Sequence, residues 1–164
     1  MRAELAAWTA TAVAGRDGLR AVPEPSLHVT LVFLGSTDAA AVPRVWSAVP
    51  ADPVAPVLAG RELVALPRRR PRVFALGLED RDGLAADLQR VVADALGQDE
   101  GRRWMPHVTL ARVRKGHRAA HLATGAPELA PFTVPAISLL RSHPGSRYEV
   151  VERRGLRAPG DQRS

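Results

Sequence analysis

The chain has 164 residues, 23 Lys or Arg against 17 Asp or Glu, a formal net charge of +6, a pI near 11.2 and no cysteine. That length suits a single domain able to bury roughly two-thirds of its unfolded surface. The absence of cysteine excludes disulfides, thiolate nucleophiles and Cys-based zinc sites, and no apolar run approaches the ~20 residues of a membrane-spanning helix.

Residues 3–14 carry Ala and Leu at helical spacing and predict a helix ending near Gly15. The opening Met1-Arg2-Ala3-Glu4-Leu5 lacks the apolar stretch of a signal peptide, which predicts a cytoplasmic protein with no membrane partner. Val22-Pro23-Glu24-Pro25-Ser26 suits neither regular helix nor central strand, and delivers an extended chain into Leu27–Phe33. That run is β-branched, leucine or aromatic for most of its length, is closed by Gly35, and predicts a strand. Thr37-Asp38 is a cap for a short helix to about Val49, with Pro43 in its first turn. Val57–Leu66 and Arg72–Leu78 predict two strands joined by the basic turn Pro67-Arg68-Arg69-Arg70-Pro71. Over 82–96, Leu84, Leu88, Val91, Val92 and Ala95 share one helical face, and Gly97 stops the helix. Trp104-Met105-Pro106 leads into another strand ending near Val113, and 114–131 reads as loop. Phe132–Leu140 and Tyr148–Val151 predict a final strand pair around His143-Pro144-Gly145, and 156–164 a flexible tail after a single domain over 1–155.

His28-Val29-Thr30-Leu31 returns letter for letter as His107-Val108-Thr109-Leu110, half the chain later and after a similar order of helix and Pro-containing approach. One His-x-Thr would arise by chance in roughly one such chain in five; two copies sharing their apolar partners indicate a repeated device. In a strand each copy presents His and Thr on one surface and Val and Leu on the other. An internal duplication about a pseudo-two-fold axis brings the two strands to face each other across a cleft. Two imidazoles near neutral pH make an acid and base pair. The Thr hydroxyls donate to the same bound group, and a tetrahedral phosphate fits, with attacking and leaving oxygens each meeting one His. Such a site needs no metal or other cofactor. A ribose 2',3'-cyclic phosphate, strained and monoanionic, is the substrate this layout suits best.

Other features weigh less. The positive charge favours a polyanion such as RNA at a discount, because all the cations but Lys115 are Arg in a chain rich in Ala, Val, Pro and Gly, as GC-rich codons produce. His117 and His121 stand at i and i+4 but have no evident third metal ligand, and His143 reads as a turn residue. The Arg68–Arg72 cluster is more readily a solvated hairpin tip than an RNA contact. Trp8, Trp46 and Trp104 read as core or rim packing, with Trp104, just before the second motif, the best candidate among them for a base-stacking platform.

These residues resemble the two-histidine phosphoesterases, and within them the RNA 2',3'-cyclic phosphodiesterases, also called 2'-5' RNA ligases. The likeness is carried by Leu19-Arg20-Ala21-Val22-Pro23-Glu24-Pro25-Ser26-Leu27-His28-Val29-Thr30-Leu31-Val32-Phe33-Leu34-Gly35, by Pro106-His107-Val108-Thr109-Leu110-Ala111-Arg112, and by Ser142 to Val151 with Gly145 and Tyr148. It implies a bilobal α+β fold, two antiparallel sheets flanked by helices around a central cleft, and metal-independent hydrolysis of RNA or nucleotide 2',3'-cyclic phosphates to 2'-phosphomonoesters by a monomer. It further implies His28 as general acid, His107 as general base, and Thr30 and Thr109 as holders of phosphate oxygens; on sequence grounds alone the two His are equivalent. Arg112 matches a position expected to help with phosphate. It stands five residues after His107, so strict alternation points it to the opposite face unless the strand is bulged or ends there.

Members of that family usually open with an apolar strand before the first helix, whereas this sequence begins in what reads as the helix. The expectation is either a start at an internal Met or a short form of the fold, leaving unpaired backbone groups and an apolar gap. Two rival functions stand beside hydrolysis. One is a non-catalytic RNA-binding module, which would not require two titratable imidazoles. The other is a ligase or phosphodiesterase acting on 2'-5' linkages or other small cyclic nucleotides, which the same in-line chemistry allows. No nucleotide-binding glycine loop is present for ATP-driven ligation.

Overall fold

Helix α1 (Arg2–Val13) forms where Ala and Leu dominate, and it ends where Ala14 turns extended and Gly15 adopts a φ of +69°. The buried face is Leu5, Thr9 and Ala12, and the Thr9 hydroxyl is satisfied by donating to the Leu5 carbonyl at 2.6 Å. The computed structural model describes residues 1–98, 104–118, 122, 125–145 and 147–160.

The α1 helix packs on an antiparallel sheet of β1 (Leu19–Ala21), β2 (Val57–Leu66), β3 (Val73–Asp80), β4 (His107–Val113) and β5 (Phe132–Thr133), in the order β1-β4-β3-β2-β5. β3 is buried on both faces from Phe74 to Leu78, as expected of a near-continuous apolar run in the middle of a sheet. The main core joins Leu5, Val22, Leu27, Leu58, Leu76, Leu78, Val108 and Leu110. Leu76 is 0% exposed, so Leu76→Ala is expected to cost about 3 kcal/mol in a urea titration, while Val150→Ala, at a site 54% exposed, should change stability by less than about 0.5 kcal/mol.

A second, smaller core lies between α2 (Val42–Ser47), α3 (Leu84–Leu96) and the hairpin of β6 (Ala136–His143) and β7 (Arg147–Gly155). Val49, Leu88 and Val92 form its centre, with Leu31, Val32, Trp46 and Ile137 around them. Arg154 ties β7 to α2: its guanidinium donates to the Val49 and Pro50 carbonyls and lies 5.0 Å over the Trp46 ring. The fold is thus the α+β, two-lobed arrangement expected from the sequence. No helix among the described residues is long and apolar enough to cross a membrane.

Four local expectations change. Leu27–Phe33 is not a strand: after the 3₁₀ turn Glu24–Ser26 only Val29 makes a ladder contact, an antiparallel bridge to Val108. That register would set Leu31 opposite Pro106, whose backbone carbonyl faces β3 and accepts from Leu78 N–H, and the pairing does not continue there. Leu19–Ala21, for which the sequence pattern predicts no element, is a strand paired with β4. The run 132–140 is divided at Val134-Pro135, with β5 joining β2 and β6 joining β7. At the start of the expected tail, Leu156 and Arg157 are held by hydrogen bonds to Pro135 and Pro53, and the Arg157 carbonyl accepts from Ala55. Within the smaller lobe β6 and β7 pair only with each other among the described residues, and Phe33 is 76% exposed.

Candidate active site

The single bridge between Val29 and Val108 brings the two copies of the motif together. In an antiparallel register it sets His28 beside Thr109 and Thr30 beside His107, crosswise about a local two-fold axis between the valines. Val108 is 3% exposed in the main core and Val29 packs against the same cluster. Alternation then places both His and both Thr on the opposite face. Neither Thr hydroxyl is engaged by another described residue.

Both imidazoles are held in the same way. Nδ1 of His28 lies 2.8 Å from the Ser26 carbonyl oxygen, and Nδ1 of His107 lies 2.8 Å from that of Met105. In each copy the acceptor is the carbonyl two residues earlier, presented by a chain that a proline stiffens. A carbonyl only accepts, so Nδ1 carries the hydrogen and Nε2 is left as the working nitrogen of both rings. Proton exchange with a ligand thus falls to Nε2 on each side.

The surroundings of His28 are more enclosed. The Tyr148 ring, from β7, meets it edge-on at 4.6 Å between centroids with an interplanar angle of 72°. Burial pushes the His28 pKa below the ordinary histidine value, and the charges of Arg112, Arg2 and His107 push the same way, against the opposing effect of the Ser26 carbonyl bond. Arg2, at the start of α1, thus belongs to the electrostatics of the site although nothing in the sequence pattern points to it.

Arg112 reaches this face because β4 carries a bulge. Thr109 pairs with Ala75 and Ala111 with Phe74, so Leu110 is the extra residue. Leu110 and Ala111 are consecutive and both 0% exposed, which shifts the alternation and returns Arg112 to the side of His107 and Thr109. Across the ladder Arg112 is paired with Arg20, whose guanidinium donates to the Gly145 carbonyl at 2.8 Å and ties the β6–β7 turn to the sheet. The Nε of Arg112 is buried with no acceptor among the described residues, an arrangement that an anionic oxygen would satisfy.

Trp104 packs on the core as the sequence predicts, and it also fastens the two motifs. Its indole N–H donates to the Thr30 carbonyl at 3.0 Å, and its ring packs on the main core, so it fastens the first motif to the approach of the second. His143 closes β6 rather than sitting in the turn, and it contacts Glu149 at 3.0 Å, where His143 and Arg141 hold the Glu149 carboxyl below its usual range. His117 lies with Arg118 beside the Arg68–Arg72 turn, away from the His-Thr pair, and His121 falls outside the described residues.

No curated protein matches the chain. Among solved structures it resembles TT0787 of Thermus thermophilus, with a TM-score of 0.76, 28% identity, and coverage of 96% of this chain and 92% of that one. It also resembles E. coli LigT, in the apo form at a TM-score of 0.72 and 21% identity over 94% of this chain and 90% of that one. The same protein in complex with 3'-AMP gives 0.70 and 20% over 94% and 89%. At these identities the likeness to LigT is one of fold. A family model described as the 2'-5' RNA ligase superfamily matches residues 2–146, most of the chain and both His-Thr copies, and the protein therefore belongs to that superfamily of two-histidine phosphoesterases.

Proposed function

We propose that the protein hydrolyses RNA ends bearing a 2',3'-cyclic phosphate to the 2'-phosphomonoester, without a metal. The observation that carries this reading is the crossed set of His28 with Thr109 and His107 with Thr30, both rings holding their hydrogen on Nδ1 and leaving Nε2 for chemistry. A phosphate over this face takes hydrogen bonds from the two hydroxyls and from Arg112 through its non-bridging oxygens. Water attacks phosphorus in line with the ribose 3' oxygen. His107 accepts the water proton at Nε2 as the P–O3' bond breaks, and His28, protonated at Nε2, gives its proton to the departing oxygen. The LigT complexes with phosphate and with 3'-AMP support a ligand of this class on the shared fold.

The superfamily description favours one further reading, formation of a 2'-5' linkage. That is the same displacement with a ribose hydroxyl in place of water, and the site chemistry does not separate the two directions. The test is turnover of a ribonucleoside 2',3'-cyclic phosphate in EDTA, followed by phosphorus NMR. A 2'-phosphate product at a rate indifferent to EDTA is expected. A folded protein with no turnover on mononucleotide or oligonucleotide would overturn hydrolysis and leave a binding module or another phosphodiester.

A further inference from the structure

At the end of β4 remote from His107, the β2–β3 turn and the segment after β4 come together. Val113 N–H donates to the Arg72 carbonyl at 2.9 Å, and Arg114 N–H to that of Gly18 at 2.9 Å. Between them lies a groove of about 520 Å³ lined by Arg69, Arg70, Pro71, Arg72, His117 and Arg118. From Leu63 to Leu78 and from Met105 to Pro127 the sequence contains no Asp or Glu, so both walls are cationic with no acid of their own. Among the described residues none of these arginine side chains makes an ion pair. A solvated turn needs no such convergence of two separate segments.

The groove lies six residues along β4 from His107, roughly 20 Å at about 3.4 Å per residue. The interval is spanned by Thr109 and by the cross-strand pair Arg112 and Arg20. Arg112 and Arg20 thus add cations along β4 between the second His-Thr motif and the strand end where the groove lies. We infer that the groove binds the phosphate backbone of a single RNA strand whose cyclic-phosphate end lies at His28 and His107, which makes an oligonucleotide the preferred substrate. The inference rests on the proposed function for the identity of the end and on the groove for the strand. Guanidinium groups suit this partner because each pairs with phosphate through two N–H donors and none needs to read a base.

The test pairs two measurements on the full chain. Binding of a fluorescein-labelled RNA of about ten nucleotides, ending in a 3'-phosphate, is followed by anisotropy across a salt series. Turnover is followed separately on a nucleoside cyclic phosphate and on the oligonucleotide cyclic phosphate. In the variant R69A/R70A/R118A, RNA affinity is expected to fall on the order of tenfold and the salt slope to flatten by about 2, at about 0.7 for each phosphate no longer neutralised. Mononucleotide turnover should stay unchanged, and R69K/R70K/R118K should recover most of the slope. An unchanged slope overturns the proposal, as does an equal loss on mononucleotide and oligonucleotide. Tighter binding to phosphatidylserine vesicles than to RNA overturns it in favour of a membrane surface. Because anisotropy needs no turnover, an inactive protein that still binds RNA through the groove would refute the hydrolytic reading alone.

Discussion

Replacement of His28 or His107 by alanine is expected to lower kcat for a nucleoside 2',3'-cyclic phosphate by about 10²- to 10⁴-fold, with KM little changed. In the proposed displacement each imidazole moves one proton, so the double variant should be far less impaired than the product of the single losses. The two roles are separable by the leaving group. A nitrophenyl phosphodiester needs no proton on its departing oxygen, so His28→Ala should keep most of the parent rate on it and His107→Ala should not. The reverse pattern would exchange the roles of acid and base. Full activity of either variant on the cyclic substrate would remove that histidine from the chemistry.

The pH profile provides a second check on the same assignment. Burial, and the charges of Arg112, Arg2 and His107, hold the His28 pKa below the ordinary histidine value in the free protein. An acid must be protonated, so kcat/KM is expected to fall as pH rises through the lowered His28 value, placing that limb below the usual histidine range. The same shift affects stability. The unfolded chain takes up this proton first, so stability is lost as pH falls from the ordinary histidine value through the lowered one. His28→Ala should flatten the stability curve over that interval.

The site was legible in the sequence because its chemistry is repeated. Four of its side chains lie in two copies of one tetrapeptide, and the valine between each His and Thr gave the face. Most helices and strands followed from period and from punctuation by Pro and Gly, as at Gly97 and across 67–71. The alternation rule failed in two informative places. At Leu27–Phe33 the residues favour a strand, but a strand needs a partner, and only Val29 finds one, at Val108, on an edge of β4 whose following stretch is taken by β1. At Arg112 alternation gave the wrong face because the extra residue Leu110 is visible only in the pairing of β4 with β3. Arg2 and Tyr148 reach His28 from distant elements, and no local pattern carries such contacts. Trp104 stands out in the sequence for its ring, whereas its N–H does the fastening.

Arg112 offers the sharpest separation of activity from stability. Its buried Nε–H lacks an acceptor among the described residues, which costs the folded protein the desolvation of that group. Arg112→Met, similar in length and without the donors, is therefore expected to leave stability to urea within about 1 kcal/mol of the parent or to raise it. Activity should move the other way. An anion on the His-Thr face would complete the guanidinium, and loss of a donor set that stabilises developing charge typically costs about 10²- to 10³-fold in kcat. Arg112→Lys keeps the charge but lacks the planar fork, so it should recover only part of that loss. Removing the charge also frees His28 from one of the influences depressing its pKa, and the alkaline limb of kcat/KM should shift upward in Arg112→Met but not in Arg112→Lys. A methionine variant that unfolds more easily yet turns over at the parent rate would make Arg112 a structural link to β1 and no part of the phosphate site.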